Sequence, residues 1–308
     1  MRKLLLLIVI AALAAWRLWP VPEVRIPTGE ALPVVDAPAG TRFALIRTGD
    51  ATTLEAMTVA NGSLFHLTRI NHVAVLVEHP NGRLLFDTGL GLKVDQQFGS
   101  EMSLWAKPVF AYAHANPAAT QLQAAGLAAP DRIFLSHAHW DHASAIVDFP
   151  RAEVWVPDAE RSAATRGQPP AYLPSQLNDP ATRWHPFTFS GPAIAGFDAS
   201  FDVFGDGSVV LLPLPGHTPG STGLLITVPD GHRYFFIGDT VWNHLGLERP
   251  APKFSVSSLI VDADRDATFA AVLEVRALQD ANPGLIVVPA HDASVHDTIG
   301  YFPTFVGG

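Results

Sequence analysis

Four side chains able to bind a metal ion fall within six residues, His137-Ala138-His139-Trp140-Asp141-His142, directly after the apolar run Ile133-Phe134-Leu135 and Ser136. The fold therefore has to bring a buried strand to an edge where polar groups meet. On an extended strand end, residues two apart share a face, so His137, His139 and Asp141 are expected to point the same way. His142 joins them only if the chain turns after Asp141, and Ala143 to Val147 reads as the start of a short helix that supplies the turn. Two imidazoles on one side and a carboxylate with an imidazole on the other suit two adjacent ions better than one. The donor types point first to zinc and leave iron, manganese and cobalt open. The chain has no cysteine, so no thiolate narrows the choice. A single HxH would read as a histidine-rich surface loop; the full run does not.

Three further polar residues end apolar runs in the same manner. His217 follows Val209 to Leu214 and precedes a Thr-Pro-Gly turn, Asp239 follows Tyr234 to Ile237 and a glycine, and His291 follows Leu285 to Val288. Standing alone, His217 would be a loop histidine with a hydrogen-bond partner. Beside the first cluster, convergence on one rim is the expectation. Asp87 also ends a strand, and two readings stand for it: an acceptor that fixes the tautomer of a ligand imidazole, or a turn residue. The glycines around His217 form no GxxxxGK[ST] phosphate loop, and no G-x-S-x-G elbow occurs.

With 48% hydrophobic and 16% charged residues in 308, the chain has ample material for a core. Its formal net charge is −9, and Arg2, Lys3 and Arg17 all lie near the N-terminus, so no basic face for nucleic acid is expected. Met1-Arg2-Lys3 followed by the apolar Leu4 to Ala15 reads as a signal peptide, or as an uncleaved membrane anchor spanning residues 1–19, with cleavage favoured because the stretch is short for a span. Either way the domain is expected outside the cytoplasm, periplasmic or secreted, or tethered to the inner membrane. Residues 20–41 are Pro-rich and aperiodic, a linker or a surface strap, and 42–308 form the folded domain.

Within that domain the patterning predicts strands at Phe43–Ile46, His72–Glu78, Arg83–Phe86, Ile133–Ser136, Val154–Val156, Ala199–Phe204, Ser208–Leu214, Thr222–Val228, Tyr234–Ile237 and Leu285–Val288. Helices are expected at Asn116–Leu127, Asp158–Thr165 and Ala267–Asp280. Gly167 to Gly191 is Pro-rich and reads as a connection that forms a lid or substrate loop. Two runs of strands punctuated by helices imply an α/β fold with two sheets inside helical layers.

These motifs, in this order, resemble those of the metallo-β-lactamase superfamily: Phe86-Asp87-Thr88-Gly89, the HxHxDH run, Pro215-Gly216-His217, Gly238-Asp239-Thr240 and Pro289-Ala290-His291-Asp292. The resemblance implies a four-layered αββα sandwich. It further implies that His137, His139 and His217 hold one ion, that Asp141, His142 and His291 hold a second, and that Asp239 bridges the two. A pair of ions lowers the pKa of a shared water toward about 7, making hydroxide available to attack a carbonyl or phosphoryl centre. Asp141 would orient that hydroxide. A bridging carboxylate is typical of the lactonases, glyoxalase-type thioesterases and phosphodiesterases of the superfamily, whereas true β-lactamases lack it. The expected activity is therefore metal-dependent hydrolysis of lactones or related esters, nearest to the dinuclear lactonases and glyoxalase II-like members. The alternatives are a thioesterase, a phosphodiesterase, a β-lactamase, or a metal-stabilised binding protein. One departure stands out. Acyl-homoserine lactonases carry Tyr three residues after the bridging Asp; here the residue is Trp242, whose indole N–H can donate a hydrogen bond but cannot act as a phenolic acid. Trp242 then reads as a wall of the pocket, and His244 as a residue able to compensate.

Overall fold

Alternation along the strands decides the architecture. A computed structural model describes residues 24–60 and 62–307; the segment expected to direct export lies outside the described residues. Among these, strands β1 (Arg42–Leu54), β2 (Leu67–His79), β3 (Gly82–Phe86), β4 (Arg132–Phe134), β5 (Glu153–Pro157) and β6 (Arg183–Phe187) form a six-stranded sheet in that order. Strands β7 (Phe201–Asp202), β8 (Val209–Pro213), β9 (Thr222–Thr227), β10 (Arg233–Phe236) and β11 (Leu285–Val288) form the second, ordered β11-β10-β9-β8-β7.

Neighbouring residues on a strand face opposite ways, so each apolar strand serves two layers. Leu45, Val75, Leu84 and Phe134 meet Leu211, Leu224, Ile226 and Phe236 between the sheets. Ile46, Leu76, Leu85 and Ile133 face the outer side of the first sheet, where Leu122 and Ala164 of the helices Ala118–Ala124 and Asp158–Arg166 cover them. Val210, Leu212 and Phe235 face outward from the second sheet onto Ala271, Val272, Val275 and Leu278 of the helix Arg265–Ala281. Each large side chain so buried contributes roughly 1.5–3 kcal/mol. The result is the four-layered αββα sandwich.

Several expected elements change. β1 and β2 run thirteen residues each and pair antiparallel along their whole length; their polar distal halves hide the pattern that predicts only Phe43–Ile46 and His72–Glu78. The stretch Gly167 to Gly191 is not a bare connection, because Arg183–Phe187 adds to β5 as a parallel edge strand. Its Pro186 is tolerated at an edge, where one side of the backbone has no ladder to complete. The strand expected at Ala199–Phe204 shrinks to Phe201–Asp202, since the Asp202 carboxylate accepts from the backbone of Gly205 and Gly207 and turns the chain. Residues 24–41 carry no helix or strand, and the part around Gly29 to Leu32 lies against the long helix. There Asn282 Oδ1 accepts from Leu32 N at 2.9 Å and Asn282 Nδ2 donates to Glu30 O at 2.9 Å.

Candidate metal centre

The ends of β3, β4, β8, β10 and β11 meet at one edge of the sandwich, and short hydrogen bonds between loops fix how each polar side chain leaves its strand. After β4 the chain stays extended to His139 and enters a helical turn, Trp140–Ala143. The turn begins at Trp140 rather than after Asp141. Asp141 therefore does not share a face with His137 and His139, and it lies instead beside His72 and His291. The carbonyl of His142 accepts from both Thr88 N and Thr88 Oγ1, at 2.8 and 2.7 Å. The His217 loop is held by the start of the long helix: Ala263 N donates to His217 O and Asp264 N to Gly216 O, each at 2.9 Å. Gly216 has φ +140°, and a Cβ there would lie 2.2 Å from Thr268 N, so the close approach requires glycine. Gly238, at φ +51°, likewise lets the Asp239 turn pass Ser136.

Hydrogen bonds on the far side of each ring set its tautomer. His142 Nδ1–H donates to Asp87 at 2.8 Å, His217 Nδ1–H to Asp262 at 2.7 Å, and His291 Nδ1–H to the Asn71 carbonyl at 2.8 Å. Asp87 also accepts from Ser136 N and Ser136 Oγ, so the Ser136 oxygen is free to accept from His137 Nδ1–H at 3.0 Å. With the proton on Nδ1, each Nε2 presents a lone pair inward. His137 Nε2 and His217 Nε2 then face one another 3.1 Å apart, an arrangement two lone pairs disfavour unless a cation lies between them. Asp239 sits across the cluster. Its Oδ1 is 3.2 Å from His142 Nε2 and 3.1 Å from His291 Nε2, while Oδ2 is 3.5 Å from His217 Nε2 and accepts the Trp242 indole N–H at 2.6 Å.

Among the described residues, three sets of potential ligand atoms each lie within 4.8 Å of one another: His137, His139, His217; His72, Asp141, His291; and His137, His142, Asp239. His72 Nδ1, His142 Nε2 and Asp239 Oδ1 are buried and make no hydrogen bond. Unsatisfied buried polar atoms are costly, and three in one cluster of nitrogen and oxygen donors fit a divalent cation. Charge agrees with this. Burial, reinforced by neighbouring imidazoles, holds His137 and His139 well below the usual imidazole value, which keeps them neutral and free to ligate. Burial works the same way at His142 and His291, but the carboxylates of Asp87, Asp239 and Asp141 outweigh it at His142, and those of Asp239 and Asp141 at His291, so both rise. That half of the site is negative enough to draw in positive charge.

Several participants carry no sequence signal of their own. Asp262, which ends the helix Ser255–Val261, also accepts from the buried Lys253 Nζ at 2.8 Å. Glu160 is wholly buried and accepts from Ala138 N, Thr218 Oγ1 and Gly220 N, joining the two loops that carry His137, His139 and His217. His72 comes from the middle of β2. His244 lies elsewhere: its ring and backbone N–H both donate to Asp292 at 2.7 Å, and it does not line the cavity beside the cluster. Trp242 does line that cavity.

A sandwich of two sheets with a histidine and aspartate cluster at one edge defines a class of metal-dependent hydrolases. The family model described as Metallo-beta-lactamase superfamily matches residues 67–291, and the chain belongs to that superfamily. It is similar to a probable metallo-hydrolase of Mycobacterium tuberculosis, at 28% identity over 257 residues, 75% of this chain and 77% of the relative. An N-acyl homoserine lactonase, AttM of Azorhizobium caulinodans, is 27% identical over 231 residues, covering 70% of this chain and 80% of the lactonase. Among solved structures, a point mutant of B. thuringiensis AiiA with N-decanoyl-L-homoserine bound at its active site superposes with a TM-score of 0.69 at 18% identity, covering 87% of this chain and all of the other. The protein is a metal-dependent hydrolase that binds divalent metal.

Proposed function

We propose that the enzyme carries two ions and opens lactones or related esters bearing an apolar substituent. The observation that carries this reading is Asp239, whose two oxygens face different histidines, Oδ1 toward His142 and His291 and Oδ2 toward His217. In it, His137, His139 and His217 hold one ion, Asp141, His142 and His291 the other, and Asp239 both. Zinc is the first expectation; iron, manganese and cobalt suit the same donors. Bound ions of this kind supply Lewis-acid polarisation and a water deprotonated near neutral pH.

The chain does the rest. Asp141 lines the cavity, and despite burial it is held ionised by His142, His72 and His291, so it can accept a hydrogen from the attacking water and orient it. Trp242 occupies Asp239 Oδ2 with its N–H and keeps that carboxylate from rotating. The cavity, of about 250 Å³, is walled by Ile70, Val109, Phe110, Val256, Ile260 and Val261. None of its lining side chains, among the described residues, is Lys or Arg. An uncharged, partly apolar substrate suits such a wall, whereas a phosphodiester would meet no cation from the protein. The lactonase activity named for AttM and the N-decanoyl-L-homoserine bound at the active site of AiiA support the same class.

The test is a panel of lactones, aryl esters, thioesters, phosphodiesters and β-lactams on metal-loaded protein. Lactones or esters are expected to lead in kcat/KM by about tenfold or more; preference for a phosphodiester or a β-lactam would overturn the substrate class. In the same panel Trp242→Tyr should keep its metal and raise lactone turnover, because a phenol can protonate a leaving alkoxide. Unchanged turnover would leave residue 242 as cavity wall.

Export is a second part of the proposal. It rests on Arg2 and Lys3 preceding an apolar run that ends in Ala12-Leu13-Ala14-Ala15. No helix among the described residues is long and apolar enough to cross a membrane. Residues 1–40 fused to a reporter active only after export should give signal; a silent, stably expressed fusion would refute it.

A further inference from the structure

His72 carries no metal-binding motif, yet the fold delivers it to the same cluster. β1 and β2 slip register between Arg47 and Gly49, opposite Val73 and His72. Such a bulge bends a strand locally and re-aims its side chains. Thr48, the extra residue, donates its hydroxyl to the His72 carbonyl at 2.9 Å and accepts from Leu90 N at 2.9 Å, so the irregularity is tied down. One residue earlier, Asn71 exchanges two bonds with His291: its N–H donates to the His291 carbonyl at 3.2 Å, and its carbonyl accepts His291 Nδ1–H at 2.8 Å. The chain around residue 72 is thus fixed both to its partner strand and to a ligand loop.

The imidazole of His72 is 6% exposed, and its Nδ1 has no hydrogen-bond partner. Nδ1 lies 3.2 Å from Asp141 Oδ2, the same oxygen that lies 3.4 Å from His291 Nε2. The His72 and His291 rings meet edge to face, with centroids 5.3 Å apart. An atom so placed against a carboxylate, without making the bond, has the geometry of a neighbouring donor to a common acceptor of electron pairs.

The geometry points to His72 as an additional protein ligand of the second ion, beside Asp141, His142, His291 and Asp239. This rests on the dinuclear reading above. It makes the two positions unequal. The first has three imidazoles and one carboxylate oxygen, the donor number of a tetrahedral zinc site. The second has three imidazoles and two carboxylates, which suits a metal accepting five or six ligands, as iron, manganese or cobalt do. The protein would then discriminate between metals at its two positions.

The experiment titrates Co²⁺ into metal-stripped full-length protein and its variants His72→Ala and His72→Asn, following stoichiometry and the visible bands of bound Co²⁺. The wild type should take up two ions. Both variants should keep one ion at wild-type affinity and bind the other at least about tenfold more weakly, as loss of a ligand must cost no less than loss of an outer partner. The bands of the weakened ion should also change, because its coordination number falls. Two ions bound by both variants with wild-type affinity and spectrum would overturn the proposal. So would weaker binding with unchanged bands, which would make His72 a hydrogen-bond partner of Asp141. His72→Asn keeps a polar side chain in the space should His72→Ala fail to fold. A single ion in the wild type would show the dinuclear reading itself to be wrong before any variant is compared.

Discussion

Asparagine in place of Asp239 should cost the enzyme its metal and its turnover together. The side chain touches both halves of the cluster: Oδ1 is within 3.2 Å of His142 and His291, and Oδ2 is 3.5 Å from His217 and bonded to Trp242. The amide keeps the shape and removes the charge. Outer partners of metal ligands typically cost about 10–100-fold in affinity or activity when mutated, and on the proposed reading, in which Asp239 serves both ions, its loss should exceed that range. Elemental analysis and steady-state kinetics on the same sample decide the matter. Asp239→Asn with full metal content and near-native kcat would remove the bridging role, and with it the argument that separates this enzyme from β-lactamases.

A strong chelator should abolish activity and destabilise the fold. The cluster gathers six imidazoles and two carboxylates from β2, the β4, β8, β10 and β11 ends and one helical turn, all largely buried. A ligand present at a thousand times its Kd stabilises the native state by about 4 kcal/mol. At roughly 2–4 °C per kcal/mol for a domain of similar size, stripping the metal should lower Tm by roughly 10 °C. Thermal melts with and without chelator, and after re-addition of Zn²⁺, test this. Identical melts and undiminished turnover would mean that the metal neither holds the site nor serves the reaction.

The parts of this site that are legible in the sequence share one property: each polar residue follows a run of apolar ones. His137, His139, His217, Asp239 and His291 are of this kind, because a buried strand must end where the chain reaches the edge of the sheet. The αββα layering follows from the same alternation and from the motif order. Strand alternation puts Asp141 on the wrong face, because the position at which an extended segment becomes helical depends on packing around Trp140, which local pattern does not report. His72 carries no signal at all. It lies within a strand, and its direction comes from a bulge whose extra residue, Thr48, sits on the neighbouring strand. Asp262 follows the end of one helix and Glu160 lies within another, and they matter through pairings made across 45 residues with His217 and 22 residues with Ala138. β6 is hidden by its own proline and by exposure of most of its side chains.

Glu160 has a consequence for how the enzyme acquires its metal. Its carboxylate accepts from Ala138 N in one half of the chain and from Thr218 Oγ1 and Gly220 N in the other. Loops that emerge from different sheets are thereby latched together by a side chain that is not itself among the proposed metal ligands. The spacing between the two ligand loops is then set by bonds that involve no metal donor, a rigid outline for whatever ion binds there. Selection among competing ions would then fall to that rigid outline rather than to whichever ion reached the chain first.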